Sequence, residues 1–279
     1  MGKFGRTWEM MKSSARVLNQ DKELLVFPVL SGIFTLLLVA SFIVPLFGES
    51  EFARQIRESN DEMQQNYLYI GLFAFYVFSY FIVIFFNSAI IACALERMNG
   101  DDPTIGSGMR AAFDRIGQIF AWALFAGTIG FILRMIEERS QIAGRIVVAI
   151  LGVAWSVTAY LAVPALVDRR LGPLDAFRES ARLLKKSWGE QIIGNVGFGL
   201  VFFLLSIPAV GLIALGAMFG DGYGVATGIV LAVIWIVLLA IIQSALQAIY
   251  QAAVYRYAST GDAPPEFDTD VLAASIQPR

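Results

Sequence analysis

The chain has 279 residues, 57% of them hydrophobic and 16% charged, with a mean hydropathy of +0.65, which is too apolar for an ordinary soluble domain and places it in a bilayer. A formal net charge of -2 and an isoelectric point near 5.3 argue against nucleic acid as a partner, because no global basic field is available. The sequence contains no histidine, which removes Ser-His and Cys-His dyads, the zincin motif and His-ligated haem.

Residues 1–23 carry Lys3, Arg6, Lys12, Arg16 and Lys22 without an apolar core of their own, and the apolar run behind them lacks an A-x-A cleavage site. They read as the flank of a retained signal anchor. Trp8, Met11, Ala15 and Leu18 recur at helical spacing, with Arg6, Glu9, Lys12 and Arg16 around them, which predicts an amphipathic helix. A hydrocarbon core of about 30 Å needs about 20 apolar residues of helix, and Leu24 to Phe47 is the first run to supply them. An acidic loop, Gly48 to Asn66, separates it from the phenylalanine-rich second span, Tyr67 to Leu95. That span holds Asn87, Ser88 and the single cysteine, Cys93, so no internal disulfide exists and the redox compartment stays open.

Pro103 and Pro173 stand where a first helical turn tolerates proline, and each predicts a helix start. The first of these helices has the stripe Ile105, Met109, Ala112 and Ile116. Spans three and four follow, Gly117 to Leu133 and Ile146 to Val167. The second proline opens the stripe Leu174, Phe177, Ala181, Leu184 and Trp188, with Arg178, Arg182, Lys185 and Lys186 among the residues opposite. Spans five and six are Ile192 to Phe219 and Tyr223 to Tyr250, and an acidic tail rich in proline at its start closes the chain.

Of the 21 Lys and Arg residues, the N-terminal segment, the 96–116 and 168–191 loops and the tail hold 16, and the three alternate loops hold Arg54, Arg57, Arg134, Arg139 and Arg145. The positive-inside rule then expects a multi-pass protein of the plasma (inner) membrane with both termini cytoplasmic. The pentads SARVL (14–18) and SARLL (180–184), and the span exits ALERMNGDDP (94–103), ALVDRRLGP (165–173) and AVYRYASTGDAP (253–264), repeat in register. The expected architecture is therefore all-α: one transmembrane domain over 1–258, built of pseudo-repeats 1–95, 96–167 and 168–258, each an interfacial helix followed by a membrane hairpin, with a cytoplasmic tail at 259–279.

The six apolar cores contain no ionisable residue, which argues against proton coupling and voltage sensing. Their polar residues are uncharged: Asn87, Asn195, and Gln243, Gln247 and Gln251 on one helical face. These either line a polar cavity opening to the cytoplasm or act as interhelical hydrogen-bond glue, and the second reading carries more weight. Pro208, with Gly194, Gly197 and Gly199 earlier in span five, is the best candidate for a helix discontinuity, since Pro28, Pro45 and Pro164 lie near span ends, but close helix packing is the reading that carries more weight. Gly224 and Gly228 form a G-x-x-x-G pair equally suited to internal and dimeric packing. Arg178, Arg182, Lys185 and Lys186 read either as anionic-lipid contacts or as a solvated cytoplasmic face. The tail reads as a docking motif for a protein partner or, with more weight, as a disordered or locally packed segment.

The opening RTWEMMKSSARVLNQDKELLVFPVLSG (6–32), the YRYASTG exit and the PEFDTDVL tail resemble an uncharacterised prokaryotic family of six-span integral membrane proteins. More loosely, the layout is similar to the membrane domain of some glycerophosphodiester phosphodiesterases, whose catalysis resides in a separate soluble domain. The resemblance implies fold and location and transfers no catalytic residue. The expected function is a non-enzymatic scaffold or accessory subunit without metal or cofactor, engaging other proteins and anionic lipid; the alternative is a facilitator of a lipid or small uncharged solute. Oligomeric state is left open.

Overall fold

The computed structural model describes residues 3–47, 62–139, 142–184, 191–218, 222–269 and 272. Among the described residues the chain is all-α, with no strand, and six stretches are long and apolar enough to cross a membrane. In chain order the helices are α1 (Lys3–Gln20), a 3-10 turn (Lys22–Leu25), α2 (Val26–Phe47), α3 (Glu62–Met98), α4 (Ile105–Phe113), α5 (Ile116–Arg139), α6 (Ile142–Ala159), α7 (Ala162–Arg169), α8 (Pro173–Leu184), α9 (Gln191–Met218) and α10 (Gly222–Thr260). Leu36 and Val210 are each 69% exposed. Apolar side chains standing open along whole helices are unfavourable in water and natural against lipid, so the chain is a multi-pass membrane protein.

The chain divides into two compact units. One comprises Met1–Pro28, Cys93–Ile105 and Arg182–Arg279; the other comprises Val29–Ala92 and Gly106–Ala181.

In the first unit α9 and α10 form a tight hairpin. A Cβ on Gly228 would sit 2.7 Å from the Leu212 carbonyl oxygen, and one on Gly216 would overlap the Gly224 carbonyl and stand 3.0 Å from the Gly228 Cα. Only glycine permits such an approach, so the G-x-x-x-G pair is spent inside the chain. Pro208 lies within α9, which continues through it from Gln191 to Met218. The candidate discontinuity is absent there. In the adjoining turn the Trp235 indole N–H donates to the Leu205 carbonyl at 2.9 Å, bonding backbone next to the site where proline removes an N–H. At 39 residues α10 is about 58 Å long at 1.5 Å per residue, well beyond the hydrocarbon core. Its first half is largely open, whereas Ala245, Ala248, Ile249 and Ala252 to Tyr255 are buried. The helix also packs against α1.

The second unit is stitched by aromatic rings. Phe34 meets Phe86 at 5.7 Å and Phe73 meets Phe131 at 5.4 Å, tying α2 to α3 and α3 to α5. Trp122, Trp155 and Phe177 stack in a column, with centroids 6.2 and 5.1 Å apart, that joins α5, α6 and α8. The fourth span, expected as one helix, is two. It breaks at Tyr160–Leu161, three residues ahead of Pro164. Proline lacks an N–H and its ring crowds the carbonyl four residues back, here that of Tyr160. The Tyr160 N–H turns to Val157 at 3.1 Å, and the Leu161 N–H leaves the helix to donate to the Ser180 hydroxyl at 2.9 Å. Pro164, not Pro208, therefore marks the discontinuity.

Candidate functional site

The polar chemistry of the first unit gathers where α1, the end of α3 and the end of α10 come together. Asp21, 5% exposed, sits between α1 and the 3-10 turn. Arg97 reaches it from the last turn of α3: Nε donates to Oδ2 at 2.6 Å and Nη2 donates to Oδ1, in a two-pronged geometry. The same Nη2 donates to Asp102. Arg256 on α10 donates to the Asn99 amide oxygen at 2.7 Å, so the turn after α3 is held from two sides. Cys93, fully buried, donates its S–H to the Thr104 carbonyl at 3.6 Å.

The buried face of α1 is Met10, Ser14, Val17 and Leu18, together with Met11 and Ser13, rather than the whole predicted stripe; Trp8 is 49% exposed. On α8 the corresponding residues Ala176, Ser180, Leu183 and Leu184 are buried, while Leu174 is 55% exposed. In each helix the inward face is turned by about one residue from the expected stripe, and the pentad serine lies at its centre. Pro173 opens α8 as expected, whereas Pro103 is buried in the turn two residues ahead of α4. Trp188 lies outside the described residues.

The C-terminal segment folds back on α1. Arg16 donates to the Glu266 carbonyl at 2.9 Å, and Phe267 (5%) and Leu272 (0%) are buried. Between α1 and this segment lies a cavity of about 370 Å³. Met10, Pro265, Phe267 and Leu272 form its apolar wall, and Glu9, Ser13, Arg16, Glu266 and Asp268 its polar wall. Nothing in the bare sequence joined Glu9 to Glu266; the one signal was Phe267 and Leu272, large apolar side chains in an acidic tail.

The glutamine face is present on α10. Gln243, Gln247 and Gln251 are each half-buried, forming the less covered stripe of a segment whose other residues are mostly buried. Asn87 is half-buried on α3, in the second unit. The Asn195 side chain, Lys185 and Lys186 lie outside what the structure describes. Arg178 is exposed and bonded to Asp175 at 3.3 Å on its own helix, and Arg182 is exposed beside it. Elsewhere in the second unit Arg169 pairs with Glu179 at 2.9 Å. Arg115 gives one N–H to the Ala111 carbonyl, while its Nε is buried without a hydrogen-bond partner among the described residues. Burial, and after it the Arg170 guanidinium, lower the Arg115 pKa from its ordinary value. No metal-ligand cluster occurs among the described residues.

No curated protein matches the chain. Residues 66–264, which take in α3 through the turn after α10, match a family of unknown function, DUF6159, and cover more than half of the sequence. With its six apolar helices, the chain belongs to that membrane-protein family of unknown function.

Proposed function

We propose that this chain is a non-enzymatic scaffold or accessory subunit of the plasma membrane, with both termini cytoplasmic, that engages another protein and anionic lipid. The observation that carries this reading is the distribution of polar chemistry. Ion pairs and exposed charges cluster at helix ends, on α1 and α8 and along the C-terminal segment, while the spans turn aliphatic side chains to lipid. We read α1, α4 and α8 as interfacial helices of three tandem units, with Arg178, Arg182, Lys185 and Lys186 addressing anionic headgroups at about 1 kcal/mol per basic residue.

Exposed Asp262 and Thr269 are the tail positions at which a partner is best sought, since Phe267 and Leu272 are committed to the chain's own interior. The test is extraction with native lipid retained, followed by mass spectrometry of everything held in stoichiometric amount. A protein partner released by Asp262→Arg with Thr269→Arg is the expected result. A tightly held lipid or neutral solute without a protein partner overturns it in favour of a facilitator.

The facilitator reading rests on one observation, the half-buried stripe of Gln243, Gln247 and Gln251. Replacing all three by leucine separates the two readings, because a scaffold keeps its partner and a conduit loses transport. Orientation has its own test in a Cys93→Ser background. Cysteine at Ser59 should label from outside and cysteine at Ser187 should not, and the reverse pattern inverts the topology; both positions lie outside the described residues.

A further inference from the structure

We propose that Arg115 and Arg170 form a clamp for the phosphate of one anionic phospholipid headgroup, at the boundary where span three enters the bilayer and span four leaves it. The apolar stretches run over Ile116–Glu138 and Gly144–Arg169, so each arginine stands one residue outside its span, at headgroup depth. Consecutive crossings run in opposite directions, which puts the start of the third and the end of the fourth on the same face of the membrane.

Charge shows that the two side chains are neighbours. Arg170 acts on Arg115 more strongly than Asp114 or Asp168 does, and it acts in the unfavourable sense. Neither Arg115 nor Arg170 makes an ion pair among the described residues, whereas the adjacent Arg169 is paired with Glu179 at 2.9 Å and stands 4.0 Å from Asp168. Arg115 is anchored by the Nη1 bond to the Ala111 carbonyl at 2.9 Å, which leaves its Nη2 open and unbonded among the described residues.

The backbone of Arg170 is an independent observation. It closes α7 in the left-handed conformation, φ 55° and ψ 37°, as the only non-glycine residue with positive φ among those described. Helices commonly end in this way on glycine, because a β-carbon is strained there. Gly172 lies two residues on and does not take that conformation. Strain accepted for an exposed arginine points to a use for its guanidinium. Two guanidinium groups repel each other alone and are both satisfied around a shared anion. Their planar N–H forks match phosphate oxygens, and basic sites between transmembrane helix ends suit lipid headgroups. Exposed Ile116 and Phe120 continue from the site with apolar surface for an acyl chain. A zwitterionic headgroup would bring its own cation to the pair, so an anionic one is preferred. The inference rests on the anionic-lipid part of the function proposed above and assigns it to a discrete pair away from the α8 surface.

The test is native mass spectrometry of the full chain in detergent micelles, titrated with phosphatidylglycerol or with phosphatidylcholine of the same acyl chains, with melting temperatures of the lipid-free protein measured alongside. One phosphatidylglycerol per chain should bind at least tenfold more tightly than phosphatidylcholine, equivalent to about 1.4 kcal/mol. Arg115→Gln and Arg170→Gly should each abolish that preference, and Arg134→Gln, at the far end of span three, should keep it. Arg170→Gly should also melt no lower than the parent, because glycine takes the left-handed backbone without strain, so its loss of lipid cannot come from misfolding. Equal affinity for the two lipids, an unchanged preference in Arg170→Gly, or full displacement of phosphatidylglycerol by inorganic phosphate each overturns the proposal. A preference that survives in Arg115→Gln and Arg170→Gly but falls in Arg178→Gln with Arg182→Gln removes the clamp and leaves the α8 reading standing.

Discussion

The Ser180 hydroxyl accepts the Leu161 N–H at the point where Pro164 interrupts the fourth span. Without it that N–H would be buried and unpaired, since Leu161 is 0% exposed. Ser180→Ala should therefore destabilise the protein by about 1–3 kcal/mol, read as a lower denaturation midpoint in lipid discs. Ser14 holds the same place in the other pentad and is equally buried, yet its hydroxyl has no hydrogen-bond partner among the described residues. Ser14→Ala should be neutral or stabilising in the same assay. A loss equal to that of Ser180→Ala would show that Ser14 serves a bound molecule or ordered water. Sequence identity in SARVL and SARLL thus marks a shared inward position, not a shared bond. The difference comes from proline, which frees a donor near Ser180.

Two glycines and two prolines decide how the elements pack. Gly228→Val should push α9 and α10 apart, because the added carbon meets backbone that cannot yield; overpacking of this kind costs about 1–3 kcal/mol. Gly152→Val, with nothing within 4 Å of its Cβ position, is the matched control and should melt like the parent. The two prolines could not be ranked from sequence, because a proline's effect depends on what accepts the displaced backbone groups. At Pro164 the neighbouring α8 supplies a hydroxyl and the helix opens; at Pro208 the helix stays continuous with Trp235 bonded to the preceding turn. Trp235→Phe should keep the ring's packing and lose about 0.5–1.5 kcal/mol from the missing bond, measurable as a lower midpoint.

At the scale of the molecule, Asp21 and Arg97 join segments 76 positions apart. Asp21 is 5% exposed, so Arg97→Ala would strand a buried carboxylate, with an expected cost of about 3–5 kcal/mol. Asp21→Asn with Arg97→Gln should recover a large part of that loss, because no uncompensated charge remains; a double variant no better than Arg97→Ala alone would contradict the pairing. The sequence displays both residues, but neither as a site: no local pattern singles out Asp21, and Arg97 is one more basic residue at a span end. The cavity beside α1 was hidden for the same reason, since its walls come from both ends of the chain.

By itself the sequence determined that this is an all-helical membrane protein with six crossings, since twenty or so apolar residues in a row have one stable form in lipid: every backbone group must be bonded within the helix. It also displayed the repeated pentads of α1 and α8, because a repeat is a local property, but that their serines face inward came from the structure. Tertiary structure alone decided that the glycine pair closes a hairpin inside the chain, that Pro164 breaks a helix, that Arg97 neutralises Asp21 and that the tail encloses a cavity against α1. Each of these depends on which distant group arrives at a given backbone atom or charge, and a linear pattern of polarity does not contain that information.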